Sequence, residues 1–245
     1  MGGFFARLRQ KKETPVWSAV VVAAGSARRM EGIDKIRTPI GGIPVLVHTL
    51  RAFQDCPAVC EVVVVTREDL LVEIGQICRD FALDKVTKVV VGGSERMLSV
   101  QNGLQEVRRD AQLIAIHDGA RPFLSQQVLM EVLETAAKTG AAAPAVPLVD
   151  TIKRVQQQVA VETVDRSTLM AVQTPQVFQA DLIRAAIQKA ITDGEMLTDD
   201  CGAVERMGMK VTMTTGSREN IKLTTPLDVT IGEAILQARG QGFYG

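Results

Sequence analysis

Short apolar runs along the chain alternate with longer segments in which apolar residues recur every three or four positions. A strand with one wet face would alternate apolar and polar residues, so the continuous runs predict strands that are buried on both faces. Six strands are predicted, at 18–23, 62–66, 86–91, 113–117, 141–147 and 211–215, and several of them are continuous runs of this kind.

The segments between these strands have the period of a helix. Thr198, followed by Asp199 and Asp200, predicts the N-cap of one further helix. Strands that alternate with helices predict a three-layer α/β sandwich around a mostly parallel sheet. Three apolar stripes mark its amphipathic helices, namely Met97, Val100, Leu104 and Val107; Leu129, Val132, Leu133 and Ala136; and Leu182, Ile183, Ala186, Ile187 and Ala190.

Residues 150–170 interrupt this alternation. A polar run at 153–158 is followed by alternating apolar and polar residues at 159–164, which predicts a hairpin with one wet and one dry face. A segment of this length with no place in the core is typical of a lid or a dimer arm.

The whole pattern fits one domain. The chain has 245 residues, of which 46% are apolar, and this is enough for one substantial core. Because no Pro-, Gly- or Ser-rich linker interrupts it, we predict a tail over 1–17 and a single domain over 18–245. We expect no membrane span, because no apolar run approaches the roughly 18 residues needed. The tail is interpreted as polar, although Phe4, Phe5 and Leu8 beside its cations leave contact with an anionic membrane surface open.

Charge and cysteine usage narrow the function further. The 28 basic residues balance the 28 acidic ones, whereas a nucleic-acid binder of this size usually carries a basic excess. The cysteines form no C-x-x-C pair and have no nearby histidine in sequence, so we expect buried free thiols in a cytoplasmic protein rather than a zinc site or disulfides. They are Cys56, Cys60, Cys78 and Cys201.

Candidate chemistry begins at the loop after the first predicted strand. Ala23, Ala24 and Gly25 would let backbone N–H groups approach phosphate oxygens closely, and Arg29 and Lys35 add two cations. A tight turn with solvated cations is the alternative interpretation. The dehydrogenase pattern G-x-G-x-x-G and the P-loop pattern G-x-x-x-x-G-K-[ST] are both absent from this loop.

Three later loops also follow predicted strands. Gly92 and Gly93 precede a helix and permit close approach to a ligand, although a plain connection is the alternative. Asp118, just past a strand end, suits a ribose hydroxyl or a metal. Lys222 would bring a third cation to the strand ends, unless it is a solvated surface lysine.

Two residues near Asp118 are predicted to stabilise the fold rather than to take part in the reaction. His117 ends a buried strand, so we expect a packed imidazole rather than a general base. Arg121 is expected to brace its loop by pairing with a carboxylate or a carbonyl.

Seven motifs occur in the order A-A-G-S-A-R-R-M with a lysine at 35, G-G-S-E-R-M-L-S-V, H-D-G-A-R-P, V-D-T-I-K-R, T-V-D-R, Q-T-P-Q and N-I-K-L-T. Together they resemble the 2-C-methyl-D-erythritol 4-phosphate cytidylyltransferases of the non-mevalonate isoprenoid pathway, from about residue 19 to 238. The resemblance implies a Rossmann-like nucleotidyltransferase fold, a homodimer made by an extended β-arm, and Mg²⁺ dependence. It also implies transfer of CMP from CTP to a small polyol phosphate, 2-C-methyl-D-erythritol 4-phosphate, with release of pyrophosphate.

The resemblance assigns roles by motif. Arg29 and Lys35 would hold the triphosphate and stabilise the transition state, and Asp118 would lie near the ribose and the metal. The other nucleotide contacts would be Ala23, Ala24, Gly25, Gly93 and Ser99. The acceptor would be positioned by Thr174 and Lys222, together with Thr151 and Arg166 reaching across from the arm into the other subunit's site.

Three positions depart from the family pattern. Ala27 stands where the first loop usually has a second glycine, Ser94 replaces a frequent acid, and Met170 replaces a frequent aromatic. They affect the detail of nucleotide contacts more than the reaction class. A cytidylyltransferase for another alditol phosphate, such as ribitol 5-phosphate, and a protein that binds CTP without turnover are the alternatives.

Overall fold

The computed structural model describes residues 16–25, 34–195 and 197–240. Its strands are β1 Trp17–Val22, β2 Pro39–Ile40, β3 Ile43–Pro44, β4 Val59–Thr66, β5 Val86–Val91, β6 Leu113–Asp118, β7 Ala141–Pro147, β8 Ile152–Gln156, β9 Val159–Val164, β10 Met170–Val172, β11 Gln176–Gln179 and β12 Thr212–Thr215. Its α-helices are α1 Val45–Gln54, α2 Leu71–Asp80, α3 Arg96–Glu106, α4 Gln126–Thr139, α5 Ala180–Thr192, α6 Asp200–Arg206 and α7 Pro226–Ala238.

All six predicted strands lie in one central sheet. The strands lie in the order β12–β7–β11–β6–β1–β4–β5, and β10 pairs with the last three residues of β7. The pairs β1–β4, β1–β6, β4–β5 and β7–β12 are parallel. The antiparallel strand β11 lies between β6 and β7. The prediction of a mostly parallel sheet is therefore confirmed.

Helices cover both faces of the sheet, as a three-layer sandwich requires. On one face, Phe53 of α1 and Leu129 of α4 belong to a buried cluster with β1 and β4. On the other face, Leu104 of α3 and Ile183 of α5 pack with Val204 of α6. Because the two faces are separately filled, the strand ends are held at fixed positions along one edge.

The predicted hairpin at 150–170 consists of β8 and β9, which pair with each other in an antiparallel register. Gln157 and Gln158 form its turn with positive φ angles. Three of its valines, Val155, Val159 and Val161, are 55%, 64% and 50% exposed. The predicted dry face is therefore not covered by this chain.

Two local predictions are wrong. The N-cap of α6 is Asp199, not Thr198, because the Asp199 carboxylate accepts the backbone N–H of Gly202 at 3.1 Å. Cys60 is exposed near the start of β4, whereas the other three free thiols are buried as expected. Within the described ranges, no helix is long and apolar enough to cross a membrane.

Candidate active site

The carboxyl ends of the parallel strands surround a cavity of about 530 Å³. Backbone bonds fix the loops there: Gly119 N–H donates to the Val22 carbonyl at 2.8 Å, and Gly92 N–H donates to the Thr66 carbonyl at 2.8 Å. The sequence-predicted residues that line the cavity are Ala23, Ala24, Gly25, Lys35, Gly93, Ser99, Asp118 and Lys222.

Close packing explains the two glycines before α3. A Cβ atom on Gly92 would lie 2.5 Å from the Cβ of Ala24, and one on Gly93 would lie 2.3 Å from the Cβ of Leu98. Ser99 holds this turn, since its hydroxyl oxygen accepts Gly93 N–H at 3.1 Å. Both glycine positions therefore exclude a side chain, and at Gly93 this leaves backbone facing the cavity.

Asp118 is the electrostatic centre of the site. Its buried carboxylate lies 2.9 Å from the Lys222 ammonium, 3.4 Å from the Arg121 guanidinium and 3.5 Å from the Arg96 guanidinium. Burial by itself would raise the pKa of Asp118, but these three cations outweigh it and hold the pKa well below its ordinary value. The side chain is therefore a carboxylate at neutral pH.

Arg96 lines the same cavity and was missed as a site residue by the sequence analysis. Its guanidinium makes a bidentate contact with Asp200 of α6, at 2.8 and 2.7 Å. The Asp200 side chain is 2% exposed. Arg96 thus joins α3, α6 and Asp118, and the only sequence signal was its place in the G-G-S-E-R motif.

Lys35 reaches the cavity from the other side of the first loop. A Cβ atom on Gly25 would lie 3.9 Å from the Lys35 ammonium nitrogen. Asp34 anchors this segment, because its carboxylate accepts Ile36 N–H at 3.2 Å and pairs with Arg67 at 2.9 Å. Lys35 and Lys222 therefore line one cavity, while Arg29 lies outside the described residues.

His117 is a packed imidazole, as expected from the sequence. It is fully buried, its ring meets the Phe53 ring edge-on at 5.3 Å, and burial lowers its pKa to about 4. Arg121 braces its loop in the expected way, since it pairs with Asp118 and donates to the Asn220 carbonyl at 2.7 Å.

The three remaining predicted residues do not line the cavity. Thr151 and Arg166 flank the exposed hairpin, where the Arg166 guanidinium donates to the Val149 carbonyl. Thr174 is 5% exposed, and its hydroxyl contacts His117 and the backbone of Asp118. Their roles in acceptor binding remain predictions.

The predicted metal contact of Asp118 fits this geometry poorly. Three cationic groups already surround its carboxylate, so a divalent cation there would add repulsion. Across the parts of the chain that the structure describes, no three His, Cys, Asp or Glu side chains are grouped as metal ligands.

Comparison with protein families gives a match over nearly the whole chain. The model for IspD, 2-C-methyl-D-erythritol 4-phosphate cytidylyltransferase, matches residues 17–238. Relatives with that name from Halalkalibacterium halodurans and Symbiobacterium thermophilum are 44% and 45% identical to this chain. The first alignment covers 90% of this chain and 96% of the relative, and the second covers 92% and 94%.

Solved structures agree with this match. The 4-diphosphocytidyl-2C-methyl-D-erythritol synthase of Anaerococcus prevotii superposes with a TM-score of 0.82 at 29% identity, over 91% of this chain and 97% of that one. The 2-C-methyl-D-erythritol 4-phosphate cytidylyltransferase of Thermus thermophilus gives a TM-score of 0.76 at 31% identity, over 91% and 99%.

Proposed function

The chain belongs to the 2-C-methyl-D-erythritol 4-phosphate cytidylyltransferase family, and from that premise we propose the reaction that its own site performs. It transfers the CMP part of CTP to 2-C-methyl-D-erythritol 4-phosphate, giving 4-diphosphocytidyl-2-C-methyl-D-erythritol and pyrophosphate. The observation that carries this proposal is the placement of Lys35 and Lys222, distant in sequence, around one cavity with the small-residue loop at 23–25.

The reaction needs no general base from the protein. The second pKa of a phosphate monoester is about 6, so the attacking phosphate is mostly a dianion at neutral pH. This agrees with a cavity in which His117 is buried beneath the lining rather than exposed to a substrate. The task of the site is to bring two anions together and align the attack on the α-phosphorus.

The fixed cations would perform that task. Lys35 lies beside Gly25 of the first loop, where the triphosphate would bind, and Lys222 lines the same cavity beside Asp118, where the acceptor phosphate would meet the triphosphate. Negative charge shifts onto the departing pyrophosphate during transfer, and preorganised cations stabilise it most strongly where water is excluded. Arg29 would add a third cation by its motif.

Magnesium enters this proposal with the nucleotide. Mg²⁺ is commonly held by substrate phosphates plus one or two carboxylates, so the substrate would be the magnesium complex of CTP. The carboxylate of Asp118 is already surrounded by cations, so it is a poor ligand for a metal held by the protein itself.

A homodimer with shared sites completes the proposal. The hairpin exposes three valines, and Arg166 at its base does not line this chain's own cavity. If the arm packs on a second copy, Thr151 and Arg166 can reach that copy's acceptor phosphate. We also propose a cytoplasmic location, in keeping with the free thiols, and no nucleic-acid partner, in keeping with the balanced charge.

A pyrophosphate-release assay tests the function. Each of the four nucleoside triphosphates is crossed with 2-C-methyl-D-erythritol 4-phosphate, ribitol 5-phosphate and other alditol phosphates. We expect release only with CTP and the methylerythritol phosphate. If release were faster with ribitol 5-phosphate, that alditol phosphate would be the acceptor instead. If no pair gave release, the protein would be one that binds CTP without turnover.

A further inference from the structure

His117 is a buried polar group that the proposed reaction does not use. It lies immediately before Asp118 at the end of β6, and both of its ring nitrogens have partners. Nε2 lies 3.2 Å from the carbonyl oxygen of Arg121, and Nδ1 lies 3.0 Å from the hydroxyl oxygen of Thr174. The ring therefore connects two segments that converge on Asp118.

The partners fix the direction of each hydrogen bond. A carbonyl oxygen can only accept, so Nε2 of His117 carries a proton and donates it to Arg121. A neutral ring has a single N–H, so Nδ1 accepts from the Thr174 hydroxyl. That hydroxyl then turns a lone pair towards the backbone N–H of Asp118, which donates to it at 3.1 Å.

The same network reaches the loop that carries Lys222. The Asn220 side-chain amide donates to the Thr174 carbonyl at 2.9 Å, and the Asn220 carbonyl accepts from Arg121 at 2.7 Å. On the other side of Lys222, Leu223 N–H donates to the Ala120 carbonyl at 2.9 Å. The lysine is thus held between two residues that are both tied to the segment after β6.

We propose that His117 is a positioning residue: as the Nε2–H tautomer it orients Thr174 and Arg121, and through them it aligns Asp118 with Lys222. It touches no substrate and transfers no proton. The proposal rests on the proposed cytidylyl transfer, because alignment is read out as turnover, but the tautomer can be measured without any substrate.

Variants of His117 separate the two bonds. His117→Asn keeps an acceptor near the Nδ1 position, His117→Gln keeps a donor near Nε2, and His117→Phe keeps the ring contact with Phe53 and removes both nitrogens. We expect His117→Phe to lower kcat by roughly 10- to 100-fold, as misplacement of reacting groups does. The KM for CTP should change little, and His117→Asn should recover more turnover than His117→Gln.

His48 supplies a matched control, since the chain has only two histidines. Its Nε2 also faces a carbonyl, that of Ile40 at 2.8 Å, but it does not line the active-site cavity. His48→Gln should leave kcat and KM unchanged. If His48→Gln lost as much turnover as His117→Phe, the loss would reflect lower stability rather than misaligned site residues. That result would overturn the proposal.

Nitrogen-15 NMR of the histidine-labelled full-length protein at pH 7.5 tests the tautomer directly. We expect the His117 ring, whose signal is the one retained in His48→Gln protein, to be protonated at Nε2 alone, and we expect that signal to change in Thr174→Val and to be retained in Thr174→Ser. A proton on Nδ1, or an indifferent response to Thr174→Val, would overturn the proposal even if His117→Phe failed to fold. Absence of pyrophosphate release by wild-type protein would instead contradict the proposed function. It would not affect the tautomer of His117, which NMR measures without substrate.

Discussion

At the scale of single residues, Arg96 holds two carboxylates at once. Its bidentate contact satisfies the buried Asp200, and its Nε atom faces Asp118 at 3.5 Å. Removing one member of a buried ion pair leaves the other charge without compensation, and this costs more than the pair itself contributes. Arg96 therefore matters for the fold as well as for the charge of the cavity.

We predict that Arg96→Met lowers the free energy of unfolding by about 3 kcal/mol, because Asp200 loses both hydrogen bonds in the interior. Urea denaturation followed by circular dichroism measures it. Arg108→Met is the matched control, since Arg108 pairs with Asp110 at the surface, and we expect a much smaller change there because water screens an exposed pair. Equal changes in the two variants would contradict the importance of the buried pair.

At the residue level, the motifs marked positions that the folded chain brings to one cavity, and the roles of these residues in the reaction remain predictions. Three of the predicted residues lie in or beside loops that follow predicted strands, and all three line the cavity: Lys35, Asp118 and Lys222. Arg96 was missed because its partner, Asp200, is 104 residues away, and no local pattern reveals such a contact. The interior position of Thr174 likewise depends on the register of β11 against β6, which the sequence does not display.

At the scale of elements, continuous apolar runs located the parallel strands to within a few residues. The strand from Val86 to Val91 was predicted at its observed bounds, although three of its residues are exposed and the other three are only partly buried. β10 and β11 were missed, since three and four residues are too few for a periodic pattern to stand out. Helix α6 begins one residue later than predicted, because Thr198 and Asp199 are both suitable N-cap residues and the sequence does not show which of them caps the helix.

The hairpin of β8 and β9 gives a prediction at this scale. Val159 and Val161 lie two positions apart and therefore share one face of β9. If this face contacts a second copy, the double variant Val159→Asp/Val161→Asp should convert a dimer to a monomer in sedimentation measurements and lower the turnover.

The control for that experiment is Val72→Asp on α2. Val72 is 81% exposed, more than either hairpin valine, but it lies on a different element. We expect it to leave the sedimentation of the protein unchanged. A hairpin variant that sediments like the wild-type protein would count against the arm as the dimer contact.

At the scale of the whole molecule, the sheet gathers residues that are far apart in sequence. Parallel strands place their carboxyl ends along one edge, so the loops after β1, β5 and β6 meet there. The segment with Lys222 joins them through its backbone contact to Ala120. The sequence predicted this convergence from the loops that follow predicted strands and from their motifs, whereas the contacts around Asp118 required the folded chain.

The stability of the folded chain should depend on pH through His117. Burial lowers its pKa from the ordinary 6.5 to about 4, so between these values the unfolded chain binds a proton that the folded chain does not. The free energy of unfolding therefore falls as the pH drops from 6.5 towards 4, by about 3 kcal/mol at 1.36 kcal/mol per pKa unit.

Urea denaturation at a series of pH values checks this dependence. His117→Asn cannot take up the proton, so its stability should fall less than that of the wild-type protein over the same range. Parallel curves for the two proteins would show that folding does not lower the pKa of His117.

The most direct test of the site is the turnover of Lys222→Met, with CTP and 2-C-methyl-D-erythritol 4-phosphate as substrates. Arg96 and Arg121 still surround Asp118 in this variant, so we expect a folded protein with kcat lowered by roughly 10²-fold or more. Lys210→Met, at an exposed position outside the cavity, should match the wild-type protein. A folded Lys222→Met protein with wild-type kcat would contradict the account.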